Sequence, residues 1–265
     1  MAACWPSRVP GAASPADDRT SSGFKAVVRM TDHVLRPEIL VIGAGPGGSA
    51  AAWALAEAGH DVLLIDSAEF PRDKTCGDGL TPMAVRTLHQ MGALPQIEGN
   101  GARRIDHVRI TGPFGLSATM AFAEFQPDYP YALVLPRFQL DDILRRYAVV
   151  AGVEYRGRTR VERIRRDRDR VTSVQASGPS GLLEIQARHV VIAIGANMGL
   201  LAREGFLTHS PRYIRAARAY YANVPEAARY YDFYFDLELL PGYGWVFPVG
   251  AGKANVGVGV LPVFW

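Results

Sequence analysis

Residues 39–66, ILVIGAGPGGSAAAWALAEAGHDVLLID, constrain the fold of this chain more than any other stretch. The apolar, branched run 39–42 has the length and composition of a buried strand. A glycine-rich turn follows, and small residues from Pro46 to about Ala58 suit a close-packed helix that ends at Gly59. A second strand, 61–65, ends in Asp66. Gly43 permits the tight turn, Gly45 lets a diphosphate approach bare backbone, and Gly48 lets the helix lie against the sheet. The helix N-terminus offers unpaired N–H groups and a partial positive charge to phosphate. Asp66, at the tip of the second strand, is placed to accept the hydroxyls of an adenosine ribose. The glycines alone are weak evidence; strand, turn, helix, strand and acid in this order predict a bound dinucleotide.

Charge and cysteine content narrow the field. Of 265 residues, 48% are hydrophobic, enough for a large core in one or two domains. A net charge of +3 gives no general reason to bind nucleic acid. Two cysteines, Cys4 and Cys76, are too few for a disulfide framework and suit a reducing, cytoplasmic setting. Membrane contact, with no apolar run of spanning length, is expected to be peripheral at most. The six histidines show no metal-ligand spacing, so no metal is expected.

Taken in order, residues 1–36 read as an extension outside the core, rich in Ser, Pro, Ala and Gly, with translation expected to start at Met30. The loop FPRDKTCGDGL, 70–80, carries too much glycine, proline and charge for a regular element, and Thr81-Pro82 then opens a helix. Residues 103–122 alternate as two strands joined through 112–115. RFQLDDILRRYAVVA, 137–151, is an amphipathic helix burying Leu140, Ile143, Leu144 and Tyr147. From 153 to 194 an arginine-rich meander, its arginines interleaved with Glu162, Asp167 and Asp169, leads to a buried parallel strand at 189–194. Stretches 213–221, 230–237, 245–249 and 254–261 read as antiparallel strands of a second sheet, which 103–122 joins in space.

Four separated stretches, GAGPGGSAAAWALAEAGHDVLLID, FPRDKTCGDGLTPMAV, LPRFQLDDIL and LPGYGWVFPVGAGKANVGVGV, together resemble the geranylgeranyl reductase family from about Pro37 to Leu261. The resemblance implies an α/β fold of para-hydroxybenzoate hydroxylase type, with a Rossmann-like FAD-binding parallel sheet, a β-meander and a partial antiparallel substrate-binding sheet. The FAD-binding domain would take 37–102 and 133–205, the substrate sheet 103–132 and 206–265. Gly43, Gly45, Pro46, Gly47 and Gly48 would hold the FAD diphosphate and Asp66 its ribose. Cys76, Gly77 and Gly79 would lie along the flavin, Arg137 would reach the cofactor, and Val161 would touch the adenine through its backbone. Tyr243, Trp245, Phe247 and Pro248 would line an isoprenoid channel, and Cys76, Tyr243 and Trp245 are the candidates for catalysis. The implied activity is reduction of prenyl C=C bonds in a lipid, quinone or chlorophyll precursor, with NADPH or reduced ferredoxin as electron donor.

Each residue also has a plainer reading. Cys76 can be a small loop residue, Asp78 a turn residue, Trp245 and Phe247 ordinary core, and Arg137 a partner for Asp141 one helical turn on. Two departures from the family pattern stand out. The late parallel strand runs into Ala193-Ile194-Gly195-Ala196-Asn197, without the family's acidic residue. The family's second FAD motif, Gly-Asp-Ala, does not follow the aromatic stretch, so a truncated copy with exposed sheet and weak FAD binding is expected. The alternatives are an aromatic monooxygenase or halogenase on the same fold, and a non-catalytic nucleotide-binding fragment.

Overall fold

A computed structural model describes residues 34–209, 214–224, 229–250 and 252–261. The expected start at Met30 lies outside them. The first half contains β1 Val34–Leu35, β2 Ile39–Ile42, α1 Pro46–Glu57, β3 Val62–Ile65, β4 Gly79–Leu80, α2 Pro82–Gln90 and α3 Leu94–Gly99. Then come β5 Arg103–Ile105, β6 His107–Thr111, β7 Ser117–Ala121, β8 Ala132–Val134, α4 Arg137–Val150 and β9 Glu154–Arg156. The remainder is β10 Arg160–Asp167, β11 Arg170–Gly178, β12 Gly181–Ile185, β13 His189–Ile192, α5 Gly199–Arg203, β14 Arg215–Tyr221, β15 Tyr231–Tyr234, β16 Tyr243–Gly250 and β17 Lys253–Val260.

β13, β2, β3 and β9 form a parallel sheet in that order. Alternation along β2 and β3 sends Ile39, Val41, Val62 and Leu64 to one face, against Ala52 of α1 and Ala148 of α4. Leu40, Ile42, Leu63 and Ile65 point the other way, onto Val161, Ile164, Val174 and Ile185 of the meander. Both faces are therefore covered, which is why these strands are apolar throughout rather than alternating. Burial of each such Leu or Ile contributes roughly 1.5–3 kcal/mol. The meander, β10 to β12, continues into the short parallel strand β1. α2, α3, α4 and β8 close a further cluster around Val85, Leu88, Ile97, Leu133, Leu140 and Leu144.

The second region is a six-stranded sheet, β14-β17-β16-β15-β6-β7. Between it and the parallel sheet lies a three-stranded sheet, β4-β8-β5, whose β8 pairs with both neighbours. Residues 103–122 join the large sheet as expected, except that β5 turns instead to β8.

Several sequence expectations need correction. β15 runs parallel to β6, in register Tyr231↔Val108, so the large sheet is mixed rather than wholly antiparallel. β13 is parallel as expected, but it is an edge strand whose Val190, Val191 and Ile192 are only half-buried. Apolar composition cannot distinguish an edge strand from a central one. Gly79-Leu80, within the loop read as irregular, forms a two-residue strand on β8. α3 was not foreseen, because a helix of one or two turns carries almost no periodicity.

Candidate cofactor and substrate site

At the carboxyl ends of β2 and β3 the chain builds an anion-binding corner. Gly43 has φ +105°, and a β-carbon there would sit 2.9 Å from the Ala193 carbonyl carbon. At Gly48 a β-carbon would run into the Gly43 carbonyl oxygen, so α1 enters against bare backbone. Gly45 is the N-cap of α1, Pro46 opens it, and no side chain caps its amides. Gly47 faces open space. The Asp66 carboxylate accepts the Ala44 N–H at 2.7 Å and the Ala68 N–H at 2.8 Å, tying the glycine loop to the β3 tip. Each carboxylate oxygen retains a lone pair for a ribose hydroxyl.

Two guanidiniums converge on this corner. Arg137, the first residue of α4, donates to buried Asp141 from Nε at 2.5 Å and from Nη2 at 2.7 Å. Arg72 reaches the same carboxylate from Nη1 at 3.0 Å. A β-carbon at Gly45 would be 3.6 Å from Arg72 Nη2 and 3.8 Å from Arg137 Nη2. One carboxylate against two guanidiniums leaves an excess positive charge beside uncapped helix amides, which is what a diphosphate needs. Burial works against the Arg137 charge, but Asp141, and after it the nearby Cys76, hold its pKa above the ordinary value. The plain pairing with Asp141 and the reach toward the cofactor corner thus coexist in Arg137.

The cysteine loop lies between this corner and the aromatic sheet. Cys76 is a half-buried free thiol beside Arg137, a cation no sequence spacing could place there. A β-carbon at Gly77 would stand 2.8 Å from the Phe247 ring and 3.0 Å from Trp245 Nε1, while one at Gly79 would collide with Tyr231. These glycines hold the loop down on the rings. Tyr231 and Phe247 stack at 4.0 Å with planes 5° apart, and Tyr231, Trp245 and Phe247 pack with Ile105, Val108, Phe122, Ala132 and Val134. Burial, then Cys76 and Tyr243, push the Tyr231 phenol above its usual range. Trp245 and Phe247 are 6% and 5% exposed, whereas Tyr243, on the same face of β16, is 36% exposed. Pro248 alternates to the opposite face. Val161 packs beneath the parallel sheet, and its carbonyl accepts from Arg203 Nη2 at 3.3 Å.

Sequence reasoning missed the polar residues that join these parts. Asp78 is 1% exposed and accepts hydrogen bonds from the Arg137 amide, Asn255 and Tyr220. Asn255 is wholly buried and bonded to Trp245, Cys76 and Asp78. A lone Asn inside the apolar run ANVGVGV was the available signal, since a buried amide must be satisfied. Arg72 had no periodicity to betray it.

This architecture, a doubly covered parallel sheet with an anion corner at its carboxyl edge, is that of a dinucleotide-binding domain. The FAD binding domain model matches residues 36–208, and the geranylgeranyl reductase catalytic domain model matches 213–263. The chain belongs to the geranylgeranyl reductase family of FAD-binding proteins. Menaquinone reductase of Mycobacterium tuberculosis is 37% identical over 238 residues, covering 84% of this chain and 55% of its own. Digeranylgeranylglycerophospholipid reductase 1 of Methanopyrus kandleri is 35% identical, covering 84% of this chain and 57% of its own. A geranylgeranyl bacteriochlorophyll reductase-like structure from Thermoplasma acidophilum superposes with TM-score 0.74 at 25% identity, covering 86% of this chain and 57% of its own. A myxobacterial chondrochloren halogenase superposes with TM-score 0.72 at 26% identity, covering 86% and 53%. The chain thus spans little more than half the length of the proteins it matches. Among the described residues no cluster fits a metal ion, and no helix is long and apolar enough to cross a membrane.

Proposed function

We propose that this chain supplies the FAD corner and aromatic wall of an oxidoreductase that reduces C=C bonds in an isoprenoid lipid, quinone or chlorophyll precursor. The observation that carries the reading is the cysteine loop, whose Asp78 carboxylate accepts the Arg137 N–H of the phosphate corner and whose glycines pack on Trp245, Phe247 and Tyr231 of the wall. The relatives named as menaquinone and digeranylgeranylglycerophospholipid reductases support the substrate class.

Bound FAD supplies the two-electron chemistry. The amides at Gly47 and Gly48, with Arg72 and Arg137, hold its diphosphate, and Asp66 takes the ribose. Cys76, Gly77 and Gly79 form the loop between cofactor and wall. Tyr243, the exposed end of the aromatic row, meets the incoming prenyl chain, and Trp245 and Phe247 stand deeper. A long uncharged chain gains its binding energy from such apolar area, which also excludes water. NADPH or reduced ferredoxin provides the electrons. The protein works in the cytoplasm and meets its substrate at the bilayer surface.

A second reading, aromatic monooxygenase or halogenase, draws on the halogenase superposition. Anaerobic incubation with FAD, a chemical reductant and a polyprenyl quinone separates the two. Loss of alkene by mass spectrometry is expected; oxygen-dependent NAD(P)H consumption with an aromatic substrate, and no anaerobic saturation, would favour the second.

A further inference from the structure

We propose that Asp78, Asn255 and Tyr220 form a clamp that fixes the height of the cysteine loop over the aromatic wall. Asp78 and Asn255 are then positioning residues for the reaction proposed above, on which this role rests.

The backbone gives the first reason. Asp78 has φ +64°, the left-handed region, between Gly77 and Gly79. Glycine would adopt it without strain, so the carboxylate must be compensating for the conformation. Its bonds show how. Oδ1 accepts the Arg137 N–H, the first amide of α4, at 3.1 Å. Oδ2 accepts from Asn255 Nδ2 at 2.7 Å and from the Tyr220 hydroxyl at 2.5 Å. The Asp78 carbonyl accepts the Leu135 N–H at 3.1 Å. A buried carboxylate is thus met by three donors and by the positive end of a fourteen-residue helix whose N-cap is Pro136 and has no side-chain cap.

Asn255 extends the network across the large sheet. Its Nδ2 also donates to the Cys76 carbonyl at 2.8 Å, and its Oδ1 accepts from Trp245 Nε1 at 3.0 Å. One carboxylate and one amide therefore connect β14, β16 and β17 to the cysteine loop and to the start of the helix that carries Arg137. Packing alone could press the loop against the rings, but apolar contacts tolerate sliding. Hydrogen bonds are directional and fix a single register. Reacting groups gain from such fixing, since a misplacement of about 1 Å can cost about a hundredfold in rate.

The test uses Cys76 as its own reporter, in a Cys4→Ser background that leaves it the single thiol. The rate of alkylation by iodoacetamide reads how often the loop lifts from the wall, with circular dichroism confirming that each variant is folded. Asp78→Asn turns an acceptor into a donor facing other donors and is expected to raise the rate about tenfold. Tyr220→Phe, at the half-exposed rim, raises it about threefold, and carries the test alone if Asp78→Asn does not fold. Adding Tyr220→Phe to Asp78→Asn is expected to raise the rate by less than the threefold it gives alone, because the oxygen that the hydroxyl bonds has already been replaced. Two independent losses of stability would instead multiply. Rates unchanged in the folded variants, or a double variant in which the two effects multiply in full, would overturn the clamp. FAD titration of the same samples is read separately: a parent that binds no flavin contradicts the function, while the thiol rates still decide the clamp.

Discussion

Two glycine-rich loops flank the site, and they need their glycines for opposite reasons. In the loop 43–48 the missing side chains keep backbone close to backbone at Gly43 and Gly48, yet Gly47 and Gly45 look onto space or onto two guanidiniums. In the loop 76–79 the space is already filled, by Phe247 and Trp245 against Gly77 and by Tyr231 against Gly79. The first loop leaves its outer side open beside the uncapped amides of α1. The second is shaped around the protein itself.

The comparison can be broken by substitution. Gly48→Ala drives a methyl into the Gly43 carbonyl, which backbone cannot easily relieve; a loss of about 3 kcal/mol or more in denaturant unfolding is expected, or no folded protein. Gly77→Ala meets side-chain rings that can shift, so a smaller loss, about 1–3 kcal/mol, is expected by the same assay. Its near-ultraviolet dichroism should change as Trp245 moves.

Gly45→Ala sharpens the contrast. A β-carbon there makes only ordinary contacts, so stability should fall by only about 0.5 kcal/mol, the cost of alanine in place of glycine at an N-cap. FAD affinity, measured by flavin fluorescence, should nonetheless fall about tenfold, roughly 1.4 kcal/mol, because the methyl occupies the diphosphate's approach. Equal loss of stability and affinity would place Gly45 with the packed glycines instead.

The smallest effect concerns Tyr155, on the edge strand beside the corner. Burial, then the Asp66 carboxylate, push its phenol from 10.0 up to about 12, and its buried hydroxyl has no partner. A raised folded-state value favours the protonated protein, so this contribution is present below pH 10 and is lost as pH rises toward 12. The denaturation midpoint of the parent should fall more steeply across that window than that of Tyr155→Phe; parallel slopes would contradict the assignment.

What the sequence disclosed follows the same division. The phosphate corner depends on local order, strand, turn, helix and acid within one short stretch, so residues 39–66 could be read directly. The parallel sheet and the meander followed from period and composition, and 107–121 joined the large sheet because a parallel core sheet leaves such strands no place. The cysteine loop's surroundings depend on contacts between residues far apart in the chain. Asp78 meets Asn255 across a separation of 177 residues, and nothing local to either names the other. Arg72, the partner of Arg137 on Asp141, was hidden in a loop without periodicity. The parallel pairing of β15 with β6 was missed for the same reason, since a strand does not state its neighbour's direction.

The most direct test of the account is an equilibrium titration of this chain with FAD, repeated with ADP as competitor and with Arg72→Ala and Arg137→Ala. The account predicts saturable binding that ADP displaces and that weakens in both variants, because the adenosine diphosphate half rests on the corner formed by Gly45–Gly48, Asp66 and the two arginines. Flavin binding indifferent to ADP and to both substitutions, or no saturable binding at all, would contradict it.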